Sequence, residues 1–177
     1  MKSEGLFIIP FAGLKQGRHD FSFPIENKFF KSFDYNDFNN AKIIIHVELI
    51  KKATMLELYF KALGKVNVLC DVSIEPFDLE IKTESNLIVK FGNSNENISD
   101  EIIYIPEGSH KIDVTQYIYE TIVLSLPLKK IHSGVKDGTF QNEILRKLKE
   151  LEPKLEKQTI GNDSRWDKLK DHFLESK

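Results

Sequence analysis

The chain has 177 residues, enough for one domain with an appendage, and 41% apolar side chains including 13 phenylalanines can fill a core. Its 25 basic and 27 acidic side chains leave a net charge of −2, which excludes the broad positive field of non-specific nucleic-acid binders and confines any RNA contact to a local patch. A single cysteine, Cys70, excludes an intramolecular disulfide, and the apolar run at residues 6–11 is too short for a signal sequence or a membrane span, so a soluble cytoplasmic protein is expected.

Eight of the 13 phenylalanines fall in the first forty residues, from Phe7 to Phe38, and mark a core-building segment. Phe7-Ile8-Ile9 reads as a strand ended by Pro10, Gly13 and Gly17 punctuate a loop, and Phe21, Phe23 and Ile25 alternate as a half-buried second strand. Stacking on nucleobases is the functional alternative for these rings. Without basic residues interleaved at strand spacing, packing of a sheet against a helix is the better reading.

Residues 41–91 read as a β-meander. Ile43, Ile45, Val47 and Leu49 share one parity, Leu56, Leu58 and Phe60 follow after a turn at Lys51-Lys52-Ala53, and Gly64 suggests a bulge or bend before Val66, Val68 and Cys70. Phe77, Leu79, Ile81, Leu87, Val89 and Phe91 then keep one parity across a long strand, with Asp78, Glu80, Lys82 and Glu84 facing water. Such alternation predicts an antiparallel sheet with one wet face. Residues 93–100 are a polar loop and residues 102–105 a short strand.

Asp113 and Gln116 resemble a capping box for a helix over residues 114–126 that carries Val114, Ile118 and Ile122 and stops before Pro127. Residues 129–139, with two glycines, three lysines and His132, read as an exposed loop or linker. Ile144, Leu148, Leu151 and Leu155 keep near-heptad spacing in a further helix, which Pro153 should break or kink. Residues 154–162 read as a joint. Asp163 is then placed as the N-cap of a last helix whose Trp166, Leu169 and Phe173 share one face. The expected architecture is α+β: an antiparallel, strongly curved meander packed with a helix (residues 1–128), a loop or linker (129–139) and a C-terminal helical segment (140–177), within a single-domain protein.

Catalytic signals are weak. Cys70 is the one candidate nucleophile and His132 the one histidine in a site-like loop, but no orienting third group or oxyanion donor is identifiable, and a lone cysteine closing an alternating strand reads as a small buried hydrophobe. The five histidines form no zinc motif, and neither a P-loop nor a G-x-G-x-x-G is present, so neither a metal nor another cofactor is expected. The row Asp78, Glu80 and Glu84 reads as a solvated sheet face, not an acid/base pair. Among basic clusters, Lys129, Lys130 and Lys136 around His132 stand out because few carboxylates offset them. Ordinary solubilising lysines are the competing reading.

Four stretches resemble the YceD family of large ribosomal RNA subunit accumulation proteins: Leu14-x-x-Gly17-x-His19-x-Phe21-x-Phe23 with Phe29-Phe30, Cys70-Asp71-Val72-Ser73, Leu124-Ser125-Leu126-Pro127, and Asp163-Ser164-Arg165-Trp166. Many members carry two cysteine pairs suggestive of a metal site. Here the first is Cys70 with Ser73, the second is absent with only Ile131-His132-Ser133 nearby, and Ser164 stands where the family has proline. The resemblance implies a non-enzymatic role in large-subunit ribosomal RNA accumulation or assembly. Lys129, Lys130, His132, Lys136, Arg165, Trp166 and Lys168 are the candidate contacts to ribosomal RNA or a ribosomal protein. A different class of function is a protein–protein adaptor or self-associating module that uses the amphipathic segment 144–155.

Overall fold

The computed structural model describes residues 7–92, 102–139 and 142–153. Contacts divide the chain into two units, residues 1–140 and residues 141–177.

In the first unit, β2 (Gly17–Glu26), β3 (Asn40–Lys51), β4 (Met55–Leu69) and β5 (Pro76–Phe91) form an antiparallel meander in chain order, preceded by the short strand β1 (Ile8–Pro10). Pro24, which cannot donate to a ladder, sits in β2 at the edge of the sheet, the position where it is tolerated. The alternation predicts the faces well. Ile43, Ile45, Val47 and Leu49 of β3, Leu56, Leu58 and Phe60 of β4, and Ile81, Leu87 and Val89 of β5 are buried on one side. Each such side chain contributes about 1.5–3 kcal/mol by leaving water.

The expectation of a bulge at Gly64 is corrected: pairing runs unbroken from Asn40↔Asn67 to Lys51↔Leu56. Glycine stands there because β3 lies directly over it, and a Cβ would come within 2.6 Å of the Ile43 Cα. A second correction concerns the fifth strand, β6 (Ile102–Ile105), which pairs parallel to β5, from Ile88↔Ile102 to Phe91↔Ile105. The sheet is therefore antiparallel with one parallel edge.

β1 pairs with β7 (Lys111–Asp113), a strand that sequence reading missed because three residues are too few to show alternation. Helix α2 (Thr115–Val123) packs on β4 and β5, burying Ile118 and Ile122, and α1 (Asn27–Lys31) packs on β2 and β3 with Phe29 and Phe30. The capping box at Asp113 and Gln116 does not form. The N-cap is Val114, the Asp113 carboxylate accepts from the Thr115 N–H at 2.9 Å, and the Gln116 amide donates to Glu120 one turn on. Helix start and N-terminal strand are tied together instead, since Val114 N–H donates to the Phe7 carbonyl and Phe7 N–H donates to the Thr115 hydroxyl, both at 3.0 Å.

The phenylalanines of the N-terminal segment pack on one another. Phe7 meets Phe23 with ring centroids 5.0 Å apart, and Phe33 stacks on Tyr119 at 4.2 Å. Burial, reinforced by the Asp37 carboxylate and by Tyr119, pushes the neighbouring Tyr35 hydroxyl up to about 12. These rings make core, not a base-stacking platform.

In the second unit, α4 (Glu143–Leu151) is capped by Asn142, whose side chain accepts from the Leu145 N–H at 2.9 Å, and it ends just ahead of Pro153 as expected. None of its residues is buried.

Candidate partner-binding site

The hairpin loop between β4 and β5 is where the chain's unusual chemistry gathers. Cys70 N–H donates to the Glu75 carbonyl and Ile74 N–H donates to the Cys70 carbonyl, both at 2.9 Å, which closes residues 70–75 into a tight knuckle. Closing it requires a left-handed backbone at Ile74, with φ of 61°. Gly or Asn is the usual occupant of such a position. A β-branched side chain there is strained by about 1–2 kcal/mol. Asp34 also has a positive φ, but aspartate adopts that region readily.

The Cys70 sulfur is buried inside the knuckle and accepts from Ser73 N–H at 3.5 Å and from His132 N–H at 3.4 Å. Burial works to raise its pKa. Hydrogen bonds from the Ser73 side chain and from the N–H groups of His132, Ser73 and Val72 outweigh burial and bring the thiol down from 9.0 to about 7. Cys70 is thus buried as the alternation predicts, yet it is an acceptor that organises two loops and not an inert hydrophobe.

The second of those loops follows α2. Asp71 N–H donates to the Lys130 carbonyl at 2.8 Å, Lys130 N–H donates back to the Asp71 carboxylate at 2.6 Å, and the Lys130 ammonium lies 3.7 Å from Asp37. His132 caps the one-turn helix α3 (Ser133–Lys136), its Nδ1 accepting from Gly134 N–H at 3.1 Å, while its ring meets the Phe77 ring edge-on. Residues 129–139 are therefore not an open linker. They are clipped to the knuckle through the backbones of Lys130 and His132, while the Lys130 ammonium faces Asp37 and the His132 ring caps α3.

Lys129 and Lys136 are exposed on that clipped segment. Arg165, Trp166 and Lys168 lie outside the described residues. Lys51, the last residue of β3, donates its ammonium to the carbonyls of Phe11, Ala12 and Leu14 at 2.9, 3.2 and 2.9 Å. On the wet face of the sheet Glu84 pairs with Lys61 at 2.7 Å, Glu80 with Lys65 at 3.5 Å, and Asp78 accepts from Asn67 at 2.7 Å. Lys61 holds the Glu84 carboxyl below its usual value. An open trough of about 890 Å³ on this face, with Arg18, Asp20, His46, Glu48 and Lys61 among its lining residues, mixes both charges and favours neither an anion nor a cation.

The residues around Cys70 do not fit a structural zinc ion. One thiol is present, Ser73 holds the place of a second, and His132 Nδ1 is engaged by Gly134, whereas a closed zinc site takes four ligands. No group of three or more His, Cys, Asp or Glu side chains among the described residues is arranged to hold a metal.

A family model described as large ribosomal RNA subunit accumulation protein YceD matches residues 58–171, more than half of the chain. The chain belongs to the YceD family. The match spans the knuckle, the clipped loop and the Asp163-Ser164-Arg165-Trp166 cassette, while the phenylalanine-rich opening at residues 14–30 lies before it. The YceD family's name connects the chain to the large ribosomal subunit in general. No curated protein and no solved structure matches the chain. No helix among the described residues is long and apolar enough to cross a membrane.

What sequence reading missed at this site is the clip itself. Asp71 and Lys130 are 59 residues apart, and nothing in their local patterns couples them. Ile74 was equally hidden, because its backbone conformation is imposed by the hairpin and not by its own preference.

Proposed function

We propose that this YceD protein is a non-catalytic accessory factor for large-subunit ribosomal RNA accumulation, acting in the cytoplasm by binding ribosomal RNA or a ribosomal protein of the large subunit. The family match carries this reading, because it covers the clipped loop and the terminal cassette that bear the candidate contacts. Lys129 and Lys136 stand exposed on a segment that the Asp71 clip holds in place, so binding there need not order a loose loop first. Arg165, Trp166 and Lys168 supply further contacts from the cassette. Neither cofactor nor membrane takes part.

Deleting the gene should lower large-subunit ribosomal RNA relative to small-subunit RNA. Re-expressing the wild-type chain or Cys70→Ser should restore the ratio, while Lys129→Ala combined with Lys136→Ala should restore it less. An unchanged ratio in the deletion strain contradicts the reading, and failure of Cys70→Ser to rescue while stably folded would bring thiol chemistry back.

One observation favours a second reading. Ile144, Leu148 and Leu151 of α4 are 37%, 44% and 79% exposed along one stripe, the form of a surface that grips a partner helix or a second copy. Association through it would tolerate salt, unlike phosphate binding.

A further inference from the structure

We infer that the open edge of β5 is a docking lane for an extended segment of another protein, which adds as a strand beside residues 77–87 and alternates apolar with basic side chains. The inference goes beyond the ribosome-directed reading above, and its test uses no ribosome, so either can fail alone.

β4 pairs with β5 from Leu69↔Pro76 to Met55↔Lys90, whereas β6 covers the other side of β5 at residues 88–91 only. Among the described residues no strand lies beside the rest of that edge. Alternate N–H and C=O groups along residues 77–87 therefore point away from β4 with no strand to meet them, the arrangement that templates an added strand. The opposite edge of the sheet is guarded by Pro24 in β2, but residues 77–87 contain no proline.

A groove runs beside this edge. α2 lies against the inner face of β5, where the Ser85 and Thr121 hydroxyls share a hydrogen bond at 2.6 Å, and the groove between them, of about 430 Å³, has Leu87, Tyr117, Glu120 and Leu124 among its lining residues. Leu124 is 82% exposed, and Leu79, on the same face of β5 as Leu87, is half-buried. One parity of an added strand would lie against these groups, so that parity is apolar.

The other parity meets charge. Asp78, Glu80 and Glu84 stand in a row with Lys82 as its one cation. Lys61 and Lys65, which pair with Glu84 and Glu80, belong to β4 and lie one strand further from the lane, a spacing of about 4.8 Å. Asp78 accepts from Asn67 and pairs with no cation among the described residues. The groove lining holds Glu84 and Glu120 and no basic side chain. Opposite charges across neighbouring strands attract, so the second parity is basic, and the same row repels RNA phosphates.

Other occupants fit worse. In a twofold pairing of two β5 edges, the registers that keep clear of β6 set carboxylate against carboxylate, as Asp78 against Glu84 or Glu80 against itself. The register that sets Lys82 against Glu84 without such repulsion drives residues 76–78 into β6 of the other copy, because β6 stands beside residues 88–91. The chain's own residues 93–101 carry Glu96, Asp100 and Glu101 and no basic side chain, the wrong charge for this row.

The test titrates the nitrogen-15-labelled full chain with three eight-residue peptides: valine alternating with lysine, valine alternating with glutamate, and four valines followed by four lysines. The alternating lysine peptide should shift amides within residues 77–87 and slow their exchange with solvent about tenfold. The other two should bind about tenfold more weakly. In the double variant Asp78→Lys, Glu80→Lys, which alters exposed groups that contribute little to folding, the order of the two alternating peptides should reverse. Shifts outside residues 77–87 and the groove, equal affinity for the three peptides, or an unchanged order in the double variant overturns the inference. Amides of residues 77–87 that all exchange slowly in the free chain would show the lane filled by the chain itself or by a second copy, and would also overturn it.

Discussion

Cys70 shows how much one side chain can organise. Its sulfur takes N–H groups from both loops of the clip, and the same bonds favour the thiolate enough to bring the pKa to about 7 against an ordinary 9.0. A group depressed in this way stabilises the fold fully above the unfolded value and loses that contribution as pH falls through the folded one. Wild type should therefore gain stability relative to Cys70→Ser as pH rises from about 7 to 9, as read by denaturant melts across that window. Equal pH profiles for the two proteins would show that the bonds to sulfur do not persist in solution. At Gly64 the limiting factor is space. Gly64→Ala drives a Cβ into the β3 backbone, which cannot yield as a side-chain tip could, and should destabilise by about 3 kcal/mol, at the upper end of overpacking. Lys51→Met removes three charge-assisted bonds to the carbonyls of residues 11–14 and should cost about 1–3 kcal/mol in a chemical melt.

Among the elements, the long strands were legible because burial follows parity over many residues. The stretch from Phe77 to Phe91 keeps its apolar set on one face from end to end, and β5 spans Pro76–Phe91. Legibility fails where an element is short or its partner distant. Three-residue β1 and β7 depend on one another across a hundred residues, β6 carries no sign in its own sequence that it lies parallel to β5, and Asp113 is drawn from the capping position because strand β7 continues through it. The candidate site was readable in composition but not in geometry. The lysines were visible, but the Asp71 clip that engages Lys130 and leaves Lys129 and Lys136 exposed belongs to tertiary structure. Helix α4 has nine residues, a capping Asn142, and ion pairs Glu143 to Lys147 and Arg146 to Glu150. Pairs of that kind add about 0.2–0.5 kcal/mol each, too little to hold so short a helix alone. Asn142→Ala should speed amide exchange in α4 by roughly fivefold, for a cap of about 1 kcal/mol, without moving the global melt of the first unit.

For the whole molecule, a sheet domain of residues 1–140 carries the clip and the knuckle, and a second unit of residues 141–177 carries the amphipathic α4 stripe. A net charge of −2 gives no long-range attraction to RNA, so the proposed recognition of the large subunit rests on a few placed groups. The wet face of the sheet, with its paired charges, fits that picture as a solvated surface. The most direct measurement is sedimentation of a cell lysate through a density gradient at low and high salt, with each fraction probed for this protein. The account predicts comigration with free large subunits or their precursors at low salt and a clear reduction at high salt. Confinement to the light, unbound fractions at both salt concentrations would contradict it.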